Sequence, residues 1–137
     1  MGITCSPLRT LRPLRSSLTQ VESPRTFPGA VAPQRHYRVD ADGVGIAVNE
    51  WGDERDPVLV MVHGGADFSR TFDVFAPLFA AAGWRVVAWD HRGHGDSDHT
   101  HLYSFEADLR DATRVLDAVA PRRLSLIHIS EPTRLSA

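Results

Sequence analysis

The chain of 137 residues contains no lysine, and Cys5 is its only cysteine. One thiol cannot form an internal disulfide, which favours a reducing compartment, and we expect a cytoplasmic protein. No apolar run is long enough to cross a bilayer, so the sequence predicts no membrane span.

The net charge of −2 and the scattered arginines do not make the basic stripe typical of proteins that bind nucleic acids. We therefore expect a small-molecule substrate as the partner, with no cofactor and no metal, and the sequence does not indicate an oligomeric state.

Residues 1–35 have few features of a folded domain. Residues 1–34 hold four arginines, five prolines and a single acidic residue, and their apolar residues follow neither a helical nor a strand period. We predict that residues 1–35 form a disordered N-terminal segment. The composition loosely matches an organelle transit peptide, but it favours a plain disordered tail, or translated sequence ahead of the true start.

Residues 36–126 have the patterning of an α/β domain. Apolar and polar residues alternate on both sides of the turn sequence at Asp40–Gly43, which predicts a β-hairpin. A continuous apolar run at Val58–Val62 predicts a central parallel strand that is covered on both faces, and apolar residues at Trp84–Trp89 and from Leu124 predict two further buried strands. The order of elements predicts a hairpin followed by a β-α-β-α-β parallel sheet with helices on both faces.

Two helices are predicted between these strands. In the first, Pro77 is tolerated in the first turn and Gly83 is suited to end the helix. Its apolar residues recur at helical spacing: Phe72, Phe75, Leu78, Phe79 and Ala82. In the second, Ser104 is expected to cap the N-terminus. Its apolar residues form one stripe: Phe105, Leu109, Ala112, Leu116 and Val119.

Two loops follow the first two parallel strands, and ligands of open α/β sheets bind at the carboxyl ends of such strands. The first loop reads HGGADF (His63–Phe68), and its adjacent glycines leave backbone N–H groups open toward an anion, as in an oxyanion hole. The second loop reads DHRGHGDS (Asp90–Ser97). Its glycines suit tight turns, and a charge-assisted hydrogen bond involving Asp90 and Arg92 is expected to pin it. The second loop therefore has an architectural role in this prediction.

With both loops in this order, separated by a strand and a helix, the chain resembles the α/β-hydrolase superfamily over roughly residues 36–126. The resemblance implies that Gly65, or Ala66 beside it, supplies a backbone N–H of the oxyanion hole. It also implies that His63 and Gly64 shape the first loop. The second loop is implied to buttress the site through five residues: Asp90, Arg92, Gly93, Gly95 and Ser97.

The resemblance also implies a nucleophile just after the strand that begins at Leu124. In the family a Gly-x-Ser-x-Gly turn, or an Asp-centred version of it, carries the nucleophile, and the acid and the histidine follow later in the chain. Here His128, Ser130 and Pro132 occupy the three defining positions, so Ser130 is only a weak nucleophile candidate. We interpret residues 127–137 as a non-native or truncated tail, and we expect the chain alone to be an inactive N-terminal fragment.

The functional prediction is a hydrolase that acts on an ester, amide, epoxide or similar bond. The alternative is a non-catalytic α/β-hydrolase-like module that binds a small ligand. The spacings of His91 with His94, and of His99 with His101, would also suit a metal ion. Because no matching cysteine or carboxylate set accompanies them, we interpret these histidines as solvated loop residues.

Overall fold

The computed structural model describes residues 27–119 and 124–128, which form a mixed five-stranded sheet with helices. The strand order is β1-β2-β4-β3-β5. In chain order the elements are β1 (Arg35–Ala41), β2 (Val44–Trp51), β3 (Val58–Val62), a 3₁₀ helix (Ser69–Asp73), α1 (Ala76–Ala81), β4 (Arg85–Trp89), α2 (Phe105–Val119) and β5 (Leu124–His128). Within these described ranges, the helices are too short or too polar to cross a bilayer. Residues 1–26 of the predicted disordered segment and residues 129–137 of the predicted tail lie outside them, whereas Arg35 belongs to β1 and residues 127–128 belong to β5.

Strands β1 and β2 form the predicted hairpin, in which Val39 lies opposite Ile46. The turn residues Asp42 and Gly43 have φ angles of 55° and 89°. Two successive positive φ values are the geometry of a type I′ turn, whose twist matches that of the flanking strands. The Asp40 carboxylate accepts a hydrogen bond from the Gly43 N–H at 2.7 Å, which supports the turn. The hairpin prediction is confirmed.

Strands β3, β4 and β5 are parallel, with β3 between the other two. Strand β4 also pairs antiparallel with β2, which joins the hairpin to the parallel strands. Apart from Val62 and Arg85, the residues of β3 and β4 are buried, as their continuous apolar runs predict. Helix α1 packs on one face of the sheet and α2 on the other, each over its own apolar cluster. The predicted α/β fold class is confirmed.

The first predicted helix is divided in two. The 3₁₀ helix ends at Asp73, and α1 begins with Pro77 in its first turn, as predicted. A continuous helix would need the residue-77 N–H to donate to the Asp73 carbonyl, and proline has no N–H. The Val31 N–H donates to that carbonyl instead, at 2.8 Å. As a result Phe75 and Leu78, predicted to lie on the apolar face, are 55% and 65% exposed.

Helix α2 begins where the sequence predicts, but it buries a different face. The Ser104 hydroxyl accepts a hydrogen bond from the Ala107 N–H at 3.2 Å and caps the helix as expected. Of the predicted stripe, Phe105 and Leu109 are 73% and 51% exposed. The fully buried residues are Ala107, Asp111, Val115 and Val119. The reason is that α2 packs over β1 and β2. The side of the stripe that carries Phe105 and Leu109 therefore lies beyond the part of the sheet that the helix covers.

Gly52 and Gly43 provide a matched pair for testing backbone strain. Both have positive φ angles, 95° and 89°. A Cβ atom at Gly52 would overlap the Trp84 carbonyl oxygen, whereas nothing lies within 4 Å of a Cβ at Gly43. Alanine at either position carries the left-handed penalty of about 1–2 kcal/mol, and Gly52→Ala adds the backbone overlap. We expect Gly52→Ala to lower the free energy of unfolding in urea by about 1 kcal/mol more than Gly43→Ala. Equal losses would contradict this expectation.

Candidate functional site

The loops that follow β3 and β4 lie side by side at the carboxyl edge of the sheet. The His91 N–H donates to Nε2 of His63 at 3.0 Å, and Nε2 of His91 lies 3.2 Å from the His63 carbonyl oxygen. The predicted adjacency of the two loops is therefore confirmed. The contact joins the first residue of one loop to the second residue of the other.

His63 is 1% exposed and uses both of its ring nitrogens. Because Nε2 accepts from a backbone N–H, the proton resides on Nδ1, which donates to the Gly64 carbonyl at 2.7 Å. Burial lowers the pKa of His63 below its usual value, and the nearby rings of His91 and His94 act in the same direction. The neutral imidazole therefore closes the start of the first loop and joins its first two residues, His63 and Gly64.

Asp90 is 1% exposed and holds the other end of the first loop. Its Oδ1 accepts from both the N–H and the hydroxyl of Ser69, each at 2.6 Å. Its Oδ2 accepts from the Asp96 N–H at 2.9 Å. Gly95 has a φ of 47°, and a Cβ atom there would overlap the Asp90 carboxylate. The glycine therefore allows the second loop to wrap around the carboxylate.

Arg92 pairs with a carboxylate that the sequence analysis did not identify. Its guanidinium contacts Asp111 of α2 through two hydrogen bonds, of 2.8 and 2.7 Å, and donates to the Leu102 carbonyl at 3.0 Å. Arg92 and Asp111 are 8% and 1% exposed. The sequence predicts that Asp90 and Arg92 pin the loop through a charge-assisted hydrogen bond. The partners differ from this prediction, because Arg92 binds Asp111 and Asp90 binds Ser69 and Asp96. Periodicity has no signal for this pair, because Asp111 does not belong to the apolar stripe that predicts the buried face of α2.

The remaining residues of the second loop also have structural contacts. The Ser97 hydroxyl donates to the Asp90 carbonyl at 2.7 Å and accepts from the Ala47 N–H at 2.9 Å, which ties the end of the loop to β2. Gly93 has a φ of 74°, and the ring of Tyr103 lies against it so closely that a Cβ atom would overlap the ring. The loop is thus attached to the sheet and to the segment before α2.

Gly65 and Ala66 lie at the exposed turn between the two anchors. Ala66 has a φ of 61°, which is rare for a residue with a side chain. Nothing lies within 4 Å of a Cβ position on Gly65, so the space above it is open. Within residues 27–119 and 124–128, no acceptor is hydrogen-bonded to the N–H of either residue. Two backbone donors are therefore available to a ligand at this edge of the sheet.

Three histidines cluster where the loops meet. The ring centroid of His63 lies 4.4 Å from that of His91 and 5.5 Å from that of His94. The expectation of solvated positions is wrong for His91 and His94, which are half-buried because they pack on His63, whereas His99 and His101 are exposed. In the part of the chain that the structure describes, no group of three or more metal-ligating side chains is arranged to hold an ion.

A groove of about 770 Å³ opens beside the first loop. Its floor is formed by β3 and β4, and its wall by the flank of α2 that the sheet does not cover. The apolar residues that line it include Val60, Val62, Trp89, Phe105, Leu109 and Leu116. His63, Gly64 and Gly65 border the same space. The open N–H of Gly65 therefore lies next to an apolar groove. Ser130, the weak nucleophile candidate, lies outside the described residues.

The lowered pKa of His63 predicts a loss of stability in acid. An unfolded histidine titrates near 6.5, and burial in the folded chain moves the pKa of His63 below that value. Between these two pKa values the unfolded chain binds more protons, so stability is full above about pH 6.5 and falls as the pH drops toward the folded-state pKa. Among the neighbouring groups, Asp90 raises the pKa of His63, whereas His91 and His94 lower it. Asp108 of α2 is a further acidic residue that lines the groove together with His63.

Urea unfolding midpoints measured between about pH 7.5 and 5.5 test this expectation. The wild-type chain should lose stability across that range, and a His63→Asn variant should lose less. A His101→Gln variant, which changes an exposed histidine, should keep the wild-type dependence. An unchanged slope in His63→Asn would contradict the assignment of the pH dependence to His63.

Comparison with known proteins places this geometry in a family. The family model described as serine aminopeptidase, S33, matches residues 53–129. A serine hydrolase-like protein of Danio rerio is 38% identical over 80 residues, which are 56% of this chain and 24% of that protein. Monoacylglycerol lipase of Mycolicibacterium smegmatis is 41% identical over 84 residues, which are 60% of this chain and 28% of the lipase. The chain thus spans about a quarter of the length of these relatives.

Solved structures show the same fold. A thioesterase domain from the curacin biosynthetic pathway superposes with a TM-score of 0.65 at 30% identity, covering 69% of this chain and 36% of that one. Epoxide hydrolase A from Mycobacterium thermoresistibile superposes with a TM-score of 0.63 at 26% identity, covering 69% of this chain and 30% of the hydrolase. The family match extends over more than half of the chain, and the sheet has the strand order and the paired loops described above. The chain therefore belongs to the serine aminopeptidase S33 family of α/β-hydrolases.

Proposed function

We propose that this chain is part of a hydrolase that cleaves an ester, amide, epoxide or similar bond of a small-molecule substrate. In this proposal the loop His63–Phe68 supplies a backbone N–H of the oxyanion hole, from Gly65 or from Ala66 beside it. The observation that carries it is the pair of open backbone donors in a loop whose two ends are fixed. A cytoplasmic location, expected from the single cysteine, belongs to the same proposal.

The chemistry of acyl transfer requires such donors. When a nucleophile attacks a carbonyl carbon, negative charge develops on the carbonyl oxygen, and preorganised N–H groups stabilise that charge without rearranging. The His91 N–H donates to His63, which is the first residue of the loop. Asp90 accepts from the N–H of Ser69, which is the residue that follows the loop. These buried anchors support the turn at Gly65 and Ala66. The donors then need little reorganisation when the charge appears.

The relatives support hydrolysis as the reaction class, and they differ in substrate. Their names include a monoacylglycerol lipase, an epoxide hydrolase and a methylesterase. The apolar groove beside Gly65 is consistent with a substrate that has an apolar group. Ser130 stays a weak nucleophile candidate, because the sequence around it lacks both glycines of the family turn.

Binding of an anion by the 137-residue chain tests the oxyanion hole directly. Hexylphosphonate combines an apolar tail with a tetrahedral anion, and its titration can be followed in amide NMR spectra. We expect the Gly65 and Ala66 amide proton signals to move downfield with saturation. A Gly65→Pro variant, which lacks one N–H, should bind more weakly. A Gly65→Ala variant, which keeps the N–H and has a Cβ free of protein contacts, should bind more tightly than Gly65→Pro. Shifts confined to other residues would reject the oxyanion assignment.

A hydrolase assay separates the two functional hypotheses. The longest gene product that contains residues 36–126 should turn over activated esters, amides or epoxides. The 137-residue chain should be assayed beside its Ser130→Ala variant, because turnover abolished by that change would make Ser130 the nucleophile. Saturable binding without turnover by the longer product would instead support the alternative, a module that binds a small ligand without chemistry.

A further inference from the structure

A hydrogen-bonded chain leads from His36, an exposed residue of β1, to the buried anchor of the first loop. Asn49 of β2 is 0% exposed, and its Nδ2 donates to the Ser69 hydroxyl at 2.8 Å. Its Oδ1 lies 2.7 Å from Nδ1 of His36, which is the residue opposite Asn49 in β1. The Ser69 hydroxyl in turn donates to Asp90. Four side chains from β1, β2, the 3₁₀ helix and the second loop are thus connected in series.

The direction of each hydrogen bond follows from the groups involved. Both oxygens of the Asp90 carboxylate accept from N–H or O–H groups, so the single hydroxyl proton of Ser69 points to Asp90. The Ser69 oxygen then accepts from Nδ2 of Asn49, which leaves the Asn49 carbonyl oxygen facing His36. That oxygen accepts only if His36 carries its proton on Nδ1. Every donor in the chain therefore points toward Asp90.

We infer that Asn49 is a positioning residue for the candidate oxyanion loop. It orients the Ser69 hydroxyl onto Asp90 and thereby fixes the carboxyl end of the loop, while His36 holds the Asn49 amide in the required orientation. The term oxyanion loop rests on the proposed function, but the positioning role concerns only the geometry of the loop.

This role differs from simple filling of the core. Asn49 packs beside an anchor of the loop, and its donor group has one acceptor, the Ser69 oxygen. An Asn49→Asp variant keeps the shape of the side chain and its acceptor toward His36, but in its ionised form, which mildly alkaline solution favours, it cannot donate to Ser69. The Ser69 proton then has two carboxylates to choose from, so its bond to Asp90 weakens. A purely structural role would make this nearly isosteric change resemble any other destabilising substitution in β2.

Amide hydrogen exchange in the full 137-residue chain tests the inference. We expect Asn49→Asp to speed exchange of the Ser69 amide, which donates to Asp90, by about tenfold or more relative to the amides of β4. Val48→Ala is the matched control, since Val48 is also 0% exposed in β2 but packs in the cluster under α2. In Val48→Ala, exchange of the Ser69 amide should not become faster relative to exchange of the β4 amides. Equal exchange profiles for the two variants, or an unchanged Ser69 amide in Asn49→Asp, would overturn the inference.

A measurement on the wild-type chain keeps the inference testable if Asn49→Asp does not fold. In mildly alkaline solution, the ring ¹⁵N signals of His36 should show the proton on Nδ1. A proton on Nε2, with a bare Nδ1, would overturn the proposed direction of the chain. Neither experiment depends on activity. If the wild-type chain does not bind phosphonate but Asn49→Asp speeds exchange of the Ser69 amide as expected, the oxyanion function alone is rejected. If phosphonate binds but exchange of the Ser69 amide is unchanged in Asn49→Asp, the role of Asn49 alone is rejected.

Discussion

Replacing Arg92 by methionine should lower the free energy of unfolding by about 3–5 kcal/mol. The substitution keeps an apolar side chain of similar length but leaves the Asp111 carboxylate, which is 1% exposed, without its two charge-assisted hydrogen bonds. An unpaired buried charge costs more than the net gain from the ion pair, because desolvation of the carboxylate is no longer offset. The pair also joins the second loop to α2, so the loop should become mobile together with the loss in stability.

Urea unfolding followed by circular dichroism measures this effect. The double variant with Arg92→Met and Asp111→Leu removes both charges, and it should recover most of the lost stability because no isolated charge remains. Arg114→Met is the control on the same helix, since Arg114 pairs with Asp42 at the surface and its loss should leave the unfolding midpoint close to that of the wild type. A double variant as unstable as Arg92→Met would contradict the desolvation argument.

Replacing Asp90 by alanine should lower the free energy of unfolding by about 3–4 kcal/mol. The carboxylate accepts from two backbone N–H groups and one hydroxyl, and all three donors lose their acceptor in the variant. Each buried donor left without a partner costs about 1–3 kcal/mol, and the Ser69 hydroxyl can recover part of this by rotating. Because Asp90 anchors the end of the first loop, phosphonate binding at Gly65 should weaken as well.

Asp90→Asn separates the charge from the hydrogen bonds. Its amide oxygen can still accept from Ser69, but its NH₂ group faces the Asp96 N–H, so the variant should lose about half as much stability as Asp90→Ala. Asp96→Ala is the control in the same loop, because Asp96 is exposed and the variant keeps the backbone N–H that donates to Asp90, so the midpoint should change little. A small effect for Asp90→Ala would contradict the view that the buried carboxylate organises both loops.

The features that could be predicted from the sequence are those with local signals. The turn at Asp42 and Gly43 needs two positive φ values, and the residue types at the turn indicate them before any strand is paired. The runs Val58–Val62 and Val86–Trp89 are apolar without interruption because both of their faces are covered. The glycine-containing loops His63–Phe68 and Asp90–Ser97 follow those strands directly. Parallel pairing then brings the two loops to the same edge.

The single helix predicted from Phe72 illustrates a limit of periodicity. The apolar spacing is genuinely helical, but Pro77 lacks the N–H that would reach the Asp73 carbonyl, and the Val31 N–H takes that acceptor. The face buried by α2 is a second case. Phe105 and Leu109 lie on the apolar side of the helix, yet α2 docks over the hairpin and leaves them beside the groove.

The sequence by itself determined the element order, the fold class and the positions of the two loops, because turns, apolar runs and helix caps depend on neighbouring residues. The tertiary structure decided which polar groups meet inside the domain. Arg92 finds Asp111 only because α2 docks against the second loop, and Asn49 reaches Ser69 only because β2 lies beside β4. These partners lie 19 and 20 residues apart in the chain. Local propensity cannot select them, because their pairing depends on strand order and on the angle at which a helix packs.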